Sequence, residues 1–271
     1  MNIKKVIKNI CPKFLNKYAI SLFRDVRLSR YRIDELLHSK GMQYYCPCCK
    51  LKINAFVKAD YLDPKIFNPK RYKNTKQDVL CPACMSLPRH RILAAWFEEH
   101  KEVIQAKKTL YFAPEYSMML WMKRNGISLT TADLFNDADI KLDIQNTGLL
   151  EESYDVIICN HVLEHVDDYK TALTEMQRVL RSGGSFICSF PMDPNIDLVD
   201  EDDGVKTAKE RLEKFGQIDH KRVFGMNAGR LLEEAGFSVK TINGEECSDE
   251  ILPVVGPAGY DMNVIFCCYK N

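Results

Sequence analysis

The sequence predicts a doubly wound α/β domain preceded by a small cysteine-rich module, and three observations carry that prediction. From Thr109 onward, short apolar runs alternate with stretches of helical periodicity, as strands and helices do in βαβ order. Several of these runs are apolar throughout, as expected of a parallel sheet covered on both faces. Five of the eleven cysteines fall in two tight clusters upstream of that pattern, before residue 85. With 271 residues at 46% hydrophobic, the chain can bury one large domain or a standard domain plus a small module, which excludes disorder, collagen and a short disulfide scaffold.

Residues 1–40 read as a basic helical arm. Ile3, Val6, Ile7 and Ile10 recur at helical spacing among lysines, with Pro12 as the next breaker. Residues 1–32 hold nine basic groups and one acid, Asp25, so the formal net charge of +1 hides a basic arm on an acidic body. Two readings of the arm stay open: a helix packed on the body with its lysines solvated, or a reversible contact with an anionic membrane surface or polymer. Lysines at 4, 5, 8, 13 and 17 interrupt the apolar positions, so neither a signal peptide nor a transmembrane helix is expected. With an odd cysteine count this predicts a reduced, cytoplasmic chain, with peripheral membrane contact through residues 1–32 as an option.

Residues 41–88 contain two C-x-x-C pairs, Cys46-Pro47-Cys48-Cys49 and Cys81-Pro82-Ala83-Cys84. Two thiolate knuckles complete a tetrahedron around zinc with no position open, so Cys46, Cys49, Cys81 and Cys84 are predicted to hold a structural Zn2+ ion. Cys48 could replace either neighbour; it is set aside because Cys46 and Cys49 then repeat the C-P-x-C form of the second pair. The stretch between the knuckles is basic and interleaved with Phe56, Tyr61, Phe67 and Tyr72. Those aromatics serve either the module's own core or contact with nucleic acid.

Residues 89–271 form the α/β domain. Ile92, Leu93, Trp96, Phe97, Val103 and Ile104 trace one side of a helix ending near Lys108. Residues 109–113, 128–133, 155–160, 185–190, 237–243 and 263–269 read as strands. Asp167 or Asp168 caps a helix that Ser182-Gly183-Gly184 stops, and Asn227 precedes another that ends at Gly236. Such a sheet binds its ligand at the carboxyl ends of its strands near the switch point. The loop after the first strand, residues 110–117, has no glycine and carries Glu115 where a phosphate would be repelled. A nucleotide without phosphates fits it better than NAD or ATP. Asp133, at the end of the next strand, is placed to accept hydrogen bonds from ribose hydroxyls.

Two motifs follow: Ser153-Tyr154-Asp155 through Asn160-His161-Val162-Leu163-Glu164-His165-Val166, and Arg178-Val179-Leu180-Arg181-Ser182-Gly183-Gly184. With these, residues 109–190 resemble class I S-adenosylmethionine-dependent methyltransferases of the type 11 kind, a resemblance that extends with the flanking strands over about residues 90–270. It also resembles a subset of that family with an N-terminal cysteine module and L-H-x-A-P-E in place of the glycine loop. The resemblance implies a Rossmann-like, mostly parallel seven-stranded sheet. It implies that Ala113, Pro114 and Glu115 line the methionine end of S-adenosyl-L-methionine and that Asp133 holds the ribose. By the same resemblance Asp143 and Ile144 border the adenine, and Asn160 and His161 close the pocket. The first loop departs from the family's D-x-G-x-G-x-G and reads Tyr111-Phe112-Ala113-Pro114-Glu115-Tyr116-Ser117.

His165 and His220 are the candidate catalytic groups, as near-neutral bases for an attacking hydroxyl or amine. The alternative for His165 is a supporting role within the family's E-H pair. His220 lies in the insertion 191–222, the expected substrate lid. Successive carboxylates at Asp200–Asp203 read as solvated, with divalent-ion coordination the alternative. The leading function is methyl transfer to oxygen or nitrogen of a small molecule or a cell-surface saccharide precursor. The competing readings are an RNA base methyltransferase, a noncatalytic binding protein with an eroded cofactor loop and, weakest, a NAD-dependent dehydrogenase.

Overall fold

The computed structural model of the chain describes residues 13–38, 40–58, 65–68, 78–248, 250–251 and 264–271. The helix predicted over Ile3–Ile10, and Tyr61 and Tyr72, lie outside them.

Helix α1 spans Lys13–His38. Its Arg27 Nε donates to the Ala83 carbonyl at 2.9 Å, and Glu35 accepts from the Lys52 amide at 2.8 Å, so the arm's helix is seated on the cysteine module. That module consists of two small antiparallel pairs, β1 (Tyr44–Cys46) with β2 (Leu51–Ile53), and β3 (Val57–Lys58) with β4 (Asp78–Leu80). One C-x-x-C follows β4 and the other runs from β1 into the first hairpin turn. A unit this small cannot build a core alone. Its buried Cys46, Leu51, Ile53 and Phe56 accordingly share one apolar cluster with Phe97, Trp121, Val156 and Ile265 of the α/β domain.

Helix α2 (Pro88–Glu99) begins with proline at its first position, where no amide hydrogen is needed. The predicted continuation toward Lys108 is corrected: His100 leaves the helical region and stacks on Trp96 with centroids 4.7 Å apart, and a 3-10 turn, Lys101–Val103, follows. The central sheet contains β5 (Thr109–Phe112), β6 (Leu129–Ala132), β7 (Tyr154–Asn160), β8 (Leu180–Ser189), β12 (Phe237–Asn243) and β13 (Val264–Lys270) in the order β12-β13-β8-β7-β5-β6. Strands β6, β5, β7 and β8 are parallel, while β13 is antiparallel to both β8 and β12.

The described sheet therefore has six strands rather than the seven expected. Beyond β6 the next segment adds only an isolated parallel bridge, Ala132–Ile140. At this edge Ile140 bonds the Thr131 carbonyl and the Asp133 amide through its backbone, while the Asp139 carboxylate accepts from the Thr131 amide at 2.8 Å and the Thr131 hydroxyl at 2.7 Å, so a side chain takes the place of a further ladder bond.

Helix α3 (Tyr116–Arg124) follows β5, and α4 (Tyr169–Val179) leads into β8. Asp168 caps α4, accepting from the amides of Lys170 and Thr171. The helix ends before the predicted Ser182-Gly183-Gly184 stop, and β8 begins at Leu180. Gly184 instead permits close approach of the Asp155 carbonyl, which a Cβ would meet at 2.8 Å. Helix α6 (Gly229–Glu234) has Ala228, not Asn227, at its N-cap, since the Asn227 side chain instead donates through Nδ2 to the Asp197 carboxylate at 2.7 Å.

The insertion 191–222 is more ordered than a plain lid loop. It contains β9 (Met192–Asp193), β10 (Val199–Glu201) and α5 (Ala208–Phe215), and with β11 (Arg222–Gly225) forms a separate sheet in the order β10-β11-β9. Thr207 and Glu210 cap α5 reciprocally. Gly225 sits where a Cβ would meet the carbonyls of Ile196 and Asp197 at 2.3 Å, so only glycine fits. Residues 66–68 dock on this insertion through Asn68 N to Gly216 O at 2.8 Å and Ile218 N to Ile66 O at 3.2 Å. The acids of the Asp200–Asp203 run include three in ion pairs, Asp200 and Asp202 with Lys214 and Glu201 with Arg222.

Candidate functional site

The chain order reverses between β5 and β7: from β5 the next strand lies on one side as β6, and the following strands lie on the other as β7 and β8. A crevice at the carboxyl ends of the strands forms at such a point. Registers Phe112–Ala132 and Phe112–Cys159 bring the residues after them together at its floor. Ala113, Asp133 and Asn160 thus lie at the ends of three neighbouring parallel strands, and the Ala113 amide donates to the Ala132 carbonyl at 2.8 Å. Ala113 (φ 47°) and His161 (φ 54°) are both left-handed, a conformation that costs a non-glycine residue and gathers at functional crevices.

The loop after β5 is held by α2. Glu115 Oε1 lies 2.6 Å from both Arg89 Nη2 and His90 Nε2, and the Tyr111 hydroxyl donates to Oε2 at 3.5 Å. The Leu87 amide donates to His90 Nδ1 at 3.0 Å, which leaves the ring proton on Nε2, facing the carboxylate. Burial opposes ionisation of Glu115, but the guanidinium of Arg89 first and then the His90 ring that faces the carboxylate overcome it and hold the carboxyl far below its ordinary range. Burial lowers His90 against the pull of Glu115. Pro114 lies in the same loop and is half-buried.

Asp133 Oδ1 accepts from the amides of Phe135 and Asn136 at 2.7 and 2.6 Å. Among the described residues its Oδ2 receives only the Asn136 side chain, at 3.2 Å, and retains acceptor capacity for a hydroxyl. Asp143 Oδ1 accepts from the Gln145 amide at 2.9 Å, while Ile144 is buried in the cluster containing Phe112 and Cys159. Glu175 ties down the segment that follows, accepting from Thr147 N and Oγ1 at 3.0 and 2.5 Å, and Arg178 bridges Glu175 to the Leu149 carbonyl.

On the other side of the crevice, Ser189 donates to Asn160 Oδ1 at 2.9 Å and the His161 amide donates to the Ser189 carbonyl at 2.8 Å. The structure brings the two predicted catalytic histidines together, the rings of His165 and His220 meeting edge to face at 4.8 Å. His220 is not an open lid residue: it is 2% exposed, and burial pushes its pKa down to about 4. Glu164, 1% exposed, lies 3.3 Å from His161 Nδ1 and 3.9 Å from His165 Nε2. Burial disfavours its charge, and the surrounding histidines, His161 first, hold its pKa at about 2. A polar cavity of about 340 Å³ is lined by Asp167, Tyr169, Glu201, Arg211, Lys221 and Arg222 among others; none of the predicted cofactor residues lines it.

In the cysteine module the Sγ atoms of Cys46, Cys49, Cys81 and Cys84 all lie within 4.8 Å of one another, with Cys46–Cys84 at 3.6 Å and Cys49–Cys81 at 3.9 Å. Tetrahedral zinc with Zn–S bonds of about 2.3 Å needs sulfurs about 3.8 Å apart, so these four can hold the ion. Cys48 is buried outside this group. Arg91, fully buried, faces Phe56 with its guanidinium 4.1 Å from the ring centroid and donates to the Val79 and Ser86 carbonyls. Its guanidinium lies close enough to Cys46, Cys48, Cys81 and Cys84 to interact electrostatically with their sulfurs.

Arg89, His90 and Arg91 were not among the residues singled out from sequence. Pro88 marks the start of their helix, but Glu115, the partner that Arg89 and His90 share, and the Ile251 carbonyl that Arg91 reaches lie 25 or more residues away, and no local periodicity encodes such pairs.

Residues 118–188 match the family model described as a methyltransferase domain. Over 100 residues the chain is 34% identical to an uncharacterized 37.1 kDa protein in transposon TN4556 of Streptomyces fradiae; the match covers 37% of this chain and 29% of that protein. Among solved structures it is similar to a SAM dependent methyltransferase from Archaeoglobus fulgidus, at 13% identity and TM-score 0.46 over 67% of this chain and 94% of that one. A Burkholderia thailandensis 1,6-didemethyltoxoflavin-N1-methyltransferase with bound 1,6-didemethyltoxoflavin and S-adenosylhomocysteine is 15% identical, with TM-score 0.46 over 68% and 79% of the two chains.

Proposed function

We propose that this chain, which carries a methyltransferase domain, binds S-adenosylmethionine at the β5–β7 switch point and transfers its methyl group to oxygen or nitrogen of a small molecule or saccharide precursor. The observation that carries the reading is the convergence of Ala113, Asp133 and Asn160 at the ends of three adjacent parallel strands, two of which, β6 and β7, lie in the segment matching the methyltransferase domain. S-adenosylmethionine supplies a methyl group activated by its sulfonium: the acceptor's O–H or N–H is replaced by O–CH3 or N–CH3, the C–S electron pair returns to sulfur, and the acceptor's proton leaves.

The chain's residues have the task of placing the reactants and excluding water. Asp133 Oδ2 accepts a ribose hydroxyl, the Ala113–Glu115 loop borders the methionine end, and Asp143 with Ile144 borders the adenine. Asn160 and His161 close the pocket. Glu115 acts here with its charge already balanced by Arg89, so the loop is held by α2 in place of glycine turns.

The cysteine module is folded around one structural zinc ion in the same reading, supported by the four-sulfur spacing. Helix α1 exposes Leu22, Phe23, Val26, Ile33, Leu36 and Leu37, which favours peripheral contact of the arm with an anionic membrane. No described helix is long and apolar enough to cross one.

Ultraviolet cross-linking of labelled S-adenosylmethionine followed by peptide mapping tests the placement. Adducts are expected in residues 109–117, 133–146 and 160–165. Labelling confined to other peptides would overturn it.

A further inference from the structure

We propose that Glu164, His165 and His220 form a binding site for a divalent first-row transition-metal ion, distinct from the four-cysteine cluster. Each residue offers one ligand atom, and these atoms lie within 4.8 Å of one another. Metal–ligand bonds of about 2.0–2.2 Å put the ligand atoms of a tetrahedral or trigonal site about 3.3–3.8 Å apart, so closure on an ion needs side-chain shifts of up to about 1–1.5 Å.

Two features of the cluster call for a cation. Neither Glu164 oxygen has a hydrogen-bond donor in acceptable geometry among the described residues, although the side chain is 1% exposed. His220 Nδ1 is likewise buried without a partner. Buried polar groups are normally satisfied, and an unsatisfied carboxylate is the costliest kind. One ion bound to all three side chains would satisfy both.

The surroundings of His165 fit the role of a ligand. Its Nε2 faces Glu164, while Nδ1 faces Asp219, 3.4 Å from Oδ2 and 3.3 Å from the carbonyl. A carboxylate or carbonyl on the far nitrogen is the usual support of a metal-ligating histidine, fixing its tautomer and ring orientation. His165 is also the accessible member, with 31% of its side chain exposed, which provides an entry path. Two imidazoles and a carboxylate favour zinc, iron, manganese or cobalt over magnesium and calcium. Three protein ligands leave positions for water or an acceptor oxygen, as in catalytic rather than structural sites. That use of the open positions rests on the methyl-transfer reading; the site itself does not.

The test is a Co2+ titration of the full, zinc-loaded chain, followed by visible spectroscopy and elemental analysis. One equivalent of Co2+ beyond the thiolate-held zinc is expected, with ligand-field bands and no thiolate charge-transfer absorption. The equivalent should be lost in Glu164→Gln and in His165→Ala, and Asp219→Asn should weaken binding about 10–100-fold. His165→Ala is the control for folding, since this partly exposed residue can be removed with circular dichroism and cysteine-bound zinc unchanged. No additional equivalent in the parent chain, or one that persists in both ligand variants, would overturn the site. S-adenosylmethionine binding is measured on the same samples: Co2+ uptake without cofactor binding supports the metal site and counts against methyl transfer, and the reverse result counts against the metal site alone.

Discussion

Arg89 Nη2 lies 2.6 Å from Glu115 Oε1, joining the first turn of α2 to the loop after β5 across 25 intervening residues. The pair replaces the glycine turns expected at a nucleotide loop with a charge clamp, and His90 brings Nε2 from the same helix to 2.6 Å from the same oxygen. Both side chains are mostly buried, so neutralising one strands the other.

Glu115→Gln is therefore expected to destabilise the chain by about 2 kcal/mol and to weaken cofactor binding. Arg89→Met should do the same, and the double variant should cost less than the two singles combined. Urea unfolding of all four proteins gives the coupling; strict additivity would show that the clamp holds nothing.

Cys81→Ser is expected to release zinc and to lower the melting temperature of the whole chain in one transition, because Cys46, Ile53 and Phe56 share a core with Trp121 and Val156. Cys48→Ser should retain the ion, since Cys48 lies outside the four-sulfur group. Calorimetric melting alongside metal analysis distinguishes this from a separately melting module.

Asp133→Asn keeps an oxygen to accept from the Phe135 and Asn136 amides and loses the carboxylate that would receive a ribose hydroxyl. Its melting temperature should stay close to the parent's while S-adenosylmethionine affinity falls at least about tenfold, a loss of about 1.4 kcal/mol. Equal affinity would remove Asp133 from the site.

Glu175 is held at about 2 by the Arg178 guanidinium and by Thr147, against an ordinary 4.5. Between those values the unfolded chain binds more protons than the folded one, so stability falls as pH drops from about 4.5 to about 2. Glu175→Gln should melt lower than the parent at pH 6, and the gap should narrow through that window. A pH-independent difference would mean the carboxylate contributes by shape alone.

The sheet strands and the four-cysteine cluster were legible in sequence because both depend on local pattern: apolar runs of strand length, and a two-residue spacing that brings the sulfurs of each knuckle to one side. Asp168 was legible as a cap for the same reason. What the pattern did not carry was whatever depends on a distant partner. Asn227 looked like a helix cap and instead bonds Asp197, and the Asp139 carboxylate takes the place of a further ladder bond at Thr131. His220 looked like a mobile lid base; contact with His165 buries it. The Arg89–Glu115 clamp left no local trace at all, since its partners stand 26 positions apart and no helical or strand period links them.

Calorimetric titration of the folded, zinc-loaded chain with S-adenosylmethionine and with S-adenosylhomocysteine tests the central claim most directly. Saturable binding of both at one site per chain, weakened in Asp133→Asn, is the predicted result. Absence of heat and of any melting-temperature shift with either compound would contradict it and leave a methyltransferase-like chain that does not hold the cofactor.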